Sequence, residues 1–320
     1  MRILVTGGMG FIGHNVVAKL EDMGHDVEII DTLTDYGIIP KEELSYLIDE
    51  RSSQVSALCH MHDISGAGVE SVFKGFRPEF VIHLASFPRQ KVVNSNPTLG
   101  AKTMVQGLIN LCELSNKYKV DKFVYVSSSM VYGDFNNDAN EHTACTPQGQ
   151  YGIMKLAGEW LVRDYASRGA FEYTIVRPSA VYGPRDVEDR VVSKFFMSAM
   201  RGETLKVNGA TESLDFTYVD DAVDGIVAAT LSQRASYQTY NITRSQSRTL
   251  LDAANLVVSI VGRGDINVQH RDINYPSRGS LSISKAQREL GFDPKIDIEE
   301  GFQRYYDYLS NSPFWIKKTV

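Results

Sequence analysis

Two clusters of side chains in this 320-residue chain have the types and spacing that proton transfer requires. The first is Ser127-Ser128-Ser129, at the carboxyl end of an apolar stretch, 121–127, that reads as a buried strand; Val131-Tyr132-Gly133 follows at once. The second is Tyr151-Gly152-Ile153-Met154-Lys155, which opens an amphipathic helix running to about Ser167. Tyr151 and Lys155 stand at i and i+4 and share one helix face, so the ammonium can sit near the phenol. A free phenol titrates near ~10, and bringing it to neutral pH takes ~3 units, or about 4 kcal/mol. One cation about 4 Å away, at an effective dielectric of ~20, supplies about that much. The pair has the chemistry of a general base that later acts as an acid.

What must position these groups begins at the first residue. Arg2 to Thr6 reads as a short apolar strand, glycines follow at 7, 8, 10 and 13, and Phe11 to Met23 carries a helical apolar rhythm. A second strand, Asp26 to Ile30, ends on Asp31. Glycine lets backbone N–H groups approach a pyrophosphate, the positive end of the helix dipole faces the anion, and a carboxylate at the second strand's end takes ribose hydroxyls. No Arg or Lys follows Asp31 before Lys41, and a carboxylate repels a 2′-phosphate, so the cofactor expected is NAD rather than NADP.

Thr6 to Gly13, TGGMGFIG, resembles the TGxxGxxG loop of the extended short-chain dehydrogenase/reductase family, and the later motifs carry the resemblance over essentially the whole chain. It implies a doubly wound parallel α/β sheet of Rossmann type, residues 1–178 plus 214–242, with a smaller mixed α/β substrate domain, 179–213 plus 243–320. Matching V-Y-G places the active hydroxyl at Ser128. The implied roles are Tyr151 as base and acid on a sugar hydroxyl, Ser128 as donor to that oxygen, and Lys155 as tuner of the phenol and anchor of the nicotinamide ribose. Cofactor contacts are expected from Gly7, Gly10, Phe11, Ile12, Gly13, Asp31, Asp63, Ile64, Leu84, Ala85, Tyr151, Lys155 and Pro178. Ser128, Ser179 and Arg278 are the implied substrate contacts, Arg278 on a diphosphate with Arg185 as the alternative there, since arginine forms charge-assisted bidentate bonds. Arg89 joins them because it follows a strand's carboxyl end, where open α/β sheets bind ligands.

The resemblance is closest to the nucleotide-sugar epimerases, dehydratases and decarboxylases of that family. Dehydratases there carry T-D-E before V-Y-G; this chain has Ser129 and Met130 at the acidic positions, which argues against 4,6-dehydration. The reading is an NAD-dependent nucleotide-sugar 4-epimerase, with a C4 dehydrogenase or ketoreductase of net redox as the alternative and a non-catalytic NAD-binding protein as a third. Three positions depart from the family pattern: Leu214 where an arginine often precedes D-F, Met104 where an asparagine is usual, and Ser179 where a substrate-binding asparagine is usual. The helices 99–118 and 152–167 resemble those that pair in family homodimers, so a dimer is expected.

The rest of the chain is consistent with that frame. Ala57 to His62, Glu79 to Ala85 and Tyr173 to Gly183 read as further strands, Val191 to Arg201 as a helix, Leu205 to Val207 and 215–219 as short strands, and 222–232, 249–261, 283–290 and 297–309 as helices. Thr32 to Ser56 reads as a polar loop over the cofactor edge. His83 reads as a core histidine. Asp220-Asp221 reads as a cap for the following helix rather than a metal site, and Cys59 and His60, on opposite faces of a strand, cannot share an ion; no metal is expected. A net charge of −6 argues against a nucleic-acid partner, three scattered cysteines fit a reducing cytoplasm, and no apolar run is long enough to span a membrane.

Overall fold

The computed structural model describes residues 1–87 and 89–319. Strands β1 (Arg2–Thr6), β2 (Asp26–Asp31), β3 (Leu58–Met61), β4 (Phe80–His83), β5 (Lys122–Val126) and β6 (Glu172–Pro178) join a seventh, Gln238–Ile242, in one sheet. Its order is seventh–β6–β5–β4–β1–β2–β3, and every pairing is parallel. The order reverses between β1 and β4, which opens a crevice beyond their carboxyl ends.

The strand period of two sorts the core into two layers. Ile3, Val5, Ile29, Val124 and Val176 pack on one face, with Phe196, Phe302 and Trp315. Leu4, Ile30, Val81, Phe123 and Ile175 pack on the other, under the helices Val69–Phe76, Gly107–Lys117 and Gly149–Ser167. Burial on both faces is why these strands read as continuous apolar runs. The long helix expected over 99–118 is helical from Pro97 to Lys117, capped by Asn96, and widens into a π-helical turn at Lys102–Gln106 beside the crevice.

Three readings of the sequence are corrected. Lys41–Ser52 is a helix, not loop. Its fully buried residues are Glu43, Leu47 and Arg51, at i, i+4 and i+8, so the inward stripe is two-thirds charged; the short amphipathic patch at 42–47 is the only sign of it in the sequence, and the Tyr36-Gly37 and Ile39-Pro40 pairs outweigh it. The expected strand 215–219 is two strands, Ser213–Asp215 and Thr217–Tyr218, pairing with Ser247–Thr249 and Val181–Tyr182. Between them the chain turns about buried Asp215, whose carboxylate accepts the Leu281 N–H at 3.0 Å and the Gln246 N–H at 3.3 Å. Asp220 and Asp221 lie inside the first turn of the helix Val219–Leu231 and do not cap it. Asp221 accepts the N–H groups of Lys295 (2.8 Å) and Ile296 (2.9 Å), pinning the chain that leads into the helix Ile298–Asn311.

Candidate active site

The glycine loop is tight enough to require glycine. A Cβ on Gly13 would lie 2.1 Å from the Gly7 carbonyl oxygen, and one on Gly7, at φ +74°, would lie 2.5 Å from the Ala85 nitrogen. At the end of β2 the Asp31 carboxylate accepts the N–H of Met9 (3.0 Å) and of Leu33 (2.9 Å), so it is fixed to the glycine loop. Burial pushes its carboxyl up, opposed by those N–H groups and by the Arg51 charge. This cradle fits a dinucleotide: only a backbone stripped of Cβ atoms leaves room for a pyrophosphate there.

A cavity of about 1030 Å³ runs from this loop along the carboxyl ends of the sheet. Gly7, Gly10, Phe11, Ile12, Gly13, Asp31, Asp63, Ile64, Leu84, Ala85 and Pro178 line it. Ser128, Tyr151, Lys155, Arg89, Ser179 and Arg278 line it too. Asp63 also pairs with Lys102 (3.4 Å) from the π-helical turn. Arg185 does not line the cavity. It lies 5.8 Å over the Tyr308 ring and 3.7 Å from Glu50, because a left-handed φ of +67° swings its side chain away while its carbonyl turns inward to Arg51.

Ser128 stands in extended backbone just before the short helix Ser129–Tyr132, its Oγ accepts the Met130 N–H at 3.2 Å, and its hydroxyl is near enough to the Tyr151 phenol to draw it down. Lys155 Nζ donates to the Val126 carbonyl at 2.8 Å and lies 5.9 Å from the centre of the Tyr151 ring. Ser129 donates to Ser179 at 3.1 Å, a structural contact between strand ends. The charge balance departs from the sequence argument. In the protein alone, burial pushes the Tyr151 phenol up, and what pulls it down is the Arg190 charge, then the Ser128 hydroxyl. Lys155 is itself pushed down to about 7 by burial, opposed by Glu159. Burial of both groups disfavours their charged forms and is the largest influence on each.

Arg190 and Arg51 are cavity residues that sequence reasoning missed. Arg190 follows a turn, with no periodic signal to place it; Arg51 lies on the unrecognised helix. Arg89 is held by Asp189 at 2.6 Å, and among the described residues its Nη2 has no hydrogen-bond partner. Burial lowers the Arg278 guanidinium to about 10. His83 is the expected core histidine, bonded to Thr6 Oγ1 at 2.7 Å. His60 meets Glu28 at 2.7 Å, and among the described residues no group of three His, Cys, Asp or Glu side chains is arranged around one point.

The model of the NAD dependent epimerase/dehydratase family matches residues 3–243. The chain belongs to that family. Within it, a putative UDP-glucose 4-epimerase of Methanocaldococcus jannaschii is 30% identical, over 97% of this chain and 99% of its own length. Two solved members superpose closely. UDP-glucose 4-epimerase of Thermotoga maritima, crystallised with UDP-glucose, gives a TM-score of 0.87 at 29% identity over 97% of this chain and 99% of that one. UDP-glucuronic acid 4-epimerase of Bacillus cereus, crystallised with UDP-glucuronic acid and NAD, gives 0.89 at 27% identity over 96% and 98%. Of the three departures from the family pattern, Leu214 and Ser179 line the cavity. Met104 is buried beside Phe87 and Val93, with Tyr151 packed against that cluster.

Proposed function

We propose that this chain is an NAD-dependent nucleotide-sugar epimerase acting at C4 of a uridine diphosphate hexose. The observation that carries the reading is the convergence of Ser128, Tyr151 and Lys155 on the cavity that the glycine loop and Asp31 enter, with Ser129 and Met130 offering no extra acid. The UDP-sugar relatives support the substrate class. Gly7, Gly10, Gly13 and Asp31 would hold the dinucleotide, with Asp63, Ile64, Leu84, Ala85 and Pro178 along its length. When bound, NAD would supply a hydride acceptor able to return the hydride to C4 on the opposite face of the sugar, which inverts that carbon.

Tyr151 Oη takes the proton of the sugar 4-hydroxyl and later returns it to the same oxygen. Ser128 donates a hydrogen bond to that oxygen as its charge changes, and Lys155, cationic, keeps the phenolate accessible. Arg89 and Arg278 grip anionic groups of the substrate. The enzyme divides at the cavity into a cofactor part, 1–178 plus 214–242, and a substrate part, 179–213 plus 243–320, and works as a cytoplasmic homodimer in carbohydrate biosynthesis.

The test is incubation with UDP-glucose and with UDP-glucuronic acid, followed by NMR of the sugar and absorbance of reduced nicotinamide. The expected result is an equilibrium pair of C4 epimers with no lasting reduced cofactor. Stoichiometric reduced cofactor and a keto product would overturn epimerisation in favour of a net dehydrogenase.

A further inference from the structure

One helical turn beyond Lys155, on the same face of Gly149–Ser167, lies Glu159, completely buried. Both of its oxygens are engaged. Oε1 accepts from Ser127 Oγ at 2.7 Å and from Arg177 Nε at 2.8 Å; Oε2 accepts from Arg177 Nη2 at 2.6 Å. Arg177 Nη1 continues to the Tyr132 hydroxyl (2.9 Å), which donates to Asn241 on the seventh strand (2.8 Å). The network thus fastens the residues on both sides of Ser128, namely Ser127 and Tyr132, to the helix that carries Tyr151 and Lys155. A buried carboxylate is costly, and a hydrophobic pair of equal volume would serve packing as well. Its retention here calls for a role that apolar residues lack.

We propose that Glu159 is a positioning residue of the active site: it fixes the strand end that presents Ser128 and supplies the buried negative charge that keeps Lys155 cationic. The groups facing the Lys155 ammonium are Tyr151 and Glu159 on its own helix, Tyr125 on β5 with its ring centre 5.3 Å away, and His83 on β4. His83 is neutral, its imidazole lowered to about 3 by burial, and the Tyr125 phenol is raised well above its usual range. Glu159 is therefore the one anion in that set. Arg177 on β6 and, at 3.5 Å, Arg163 on the same helix are Glu159's own partners and add charge of the opposite sign.

The inference rests on the Ser128, Tyr151 and Lys155 reading, so its test includes a measurement that needs no turnover. In full-length protein labelled with ¹³Cε-lysine, the Lys155 resonance is identified by its loss in Lys155→Met and titrated. Glu159→Gln is expected to lower the Lys155 midpoint by about one pH unit or more, and to move the alkaline limb of the kcat profile acidward by the same amount. Glu159→Asp is expected to keep the midpoint near wild type and to lower kcat, because the shorter side chain lets Ser127 go. If Glu159→Gln does not fold, the double variant Glu159→Gln/Arg177→Met removes the guanidinium that would be left buried, while Arg163 keeps Thr239 Oγ1 at 2.9 Å; its midpoint is expected to fall in the same direction but by less, since a cation leaves with the anion. An unchanged Lys155 midpoint in a folded charge-neutral variant overturns the proposal. A shifted midpoint in a protein that turns over no nucleotide sugar overturns the function instead.

Discussion

The Arg51 guanidinium donates through Nε (3.2 Å) and Nη2 (2.7 Å) to the carbonyl of Arg185, and through Nη1 to the carbonyl of Met9 at 3.3 Å. One side chain from the helix 41–52 thereby ties the glycine loop to the turn that starts the substrate half, and its charge faces Asp31 and buried Asp186. Hydrogen bonds to a charged group are each worth about 1.5–3 kcal/mol. Arg51→Met keeps most of the volume and removes the tie. The variant is expected to melt several degrees lower and to gain less stabilisation from added NAD than wild type does, read by thermal denaturation across a cofactor series. An identical cofactor response would show that the tie is structural only.

Gly13 has no room for a methyl group, since its neighbour at 2.1 Å is backbone and cannot swing aside. Gly13→Ala is expected to lose bound NAD and about 1–3 kcal/mol of stability from overpacking. Gly75, in the helix Val69–Phe76, has nothing within 4 Å of its Cβ position, so Gly75→Ala should match wild type or exceed it by ~0.5–1 kcal/mol. Cofactor content after gel filtration and urea midpoints check both.

Tyr151 is the only group the proposed chemistry cannot replace. Tyr151→Phe keeps the ring beside Met104 and removes the hydroxyl, so NAD content should stay at wild-type level while turnover falls by ~10²–10⁴. Ser128→Ala should cost less. Unchanged turnover in Tyr151→Phe would remove the base from the mechanism.

The nucleotide half was legible because its signals are local. A glycine spacing, short continuous apolar runs and a Tyr to Lys interval are each read from a few neighbouring residues, and each is found where the chain's own pattern puts it. What escaped depends on distant chain segments meeting. Arg51 hid in a helix whose inward face is charged, Arg190 reaches Tyr151 from beyond the sixth strand, and Arg185 is turned outward by a backbone angle that its sequence does not announce. The direction of the phenol's shift escaped for a related reason: proximity of Lys155 was readable, but the burial that opposes it was not.

His14 and His83 are both held neutral by burial, each lowered to about 3. His14 Nδ1 meets the Gly10 carbonyl at 2.9 Å inside the glycine loop, and His83 meets Thr6. The unfolded chain takes up these protons near pH ~6.5, so it binds more protons than the folded chain from there down to about pH 3. Stability from these groups is therefore present above pH ~6.5 and falls on acidification, by up to about 1.4 kcal/mol per pH unit for each imidazole. Urea unfolding between pH 7.5 and about 5 should show this slope, and His83→Gln should flatten it by one proton's worth.

The helix Gly149–Ser167 leaves Ile153 52% and Trp160 63% exposed, one heptad apart, and the adjoining Gly107–Lys117 leaves Ile109 37% exposed. Large apolar side chains grouped on neighbouring helices are what a helix-pairing interface presents before its partner is added. Trp160 also carries Arg163 over its ring at 5.5 Å, a polar rim beside the apolar centre. Light scattering of the wild-type chain should give twice the 35.7 kDa chain mass at micromolar concentration. Trp160→Glu buries an unpaired charge in such a contact and should shift the mass toward a single chain. Because the same helix carries Tyr151 and Lys155, the variant should also lose turnover in proportion to its dissociation, and that loss should reverse as protein concentration rises. A wild-type chain that scatters as a monomer would dispose of the interface.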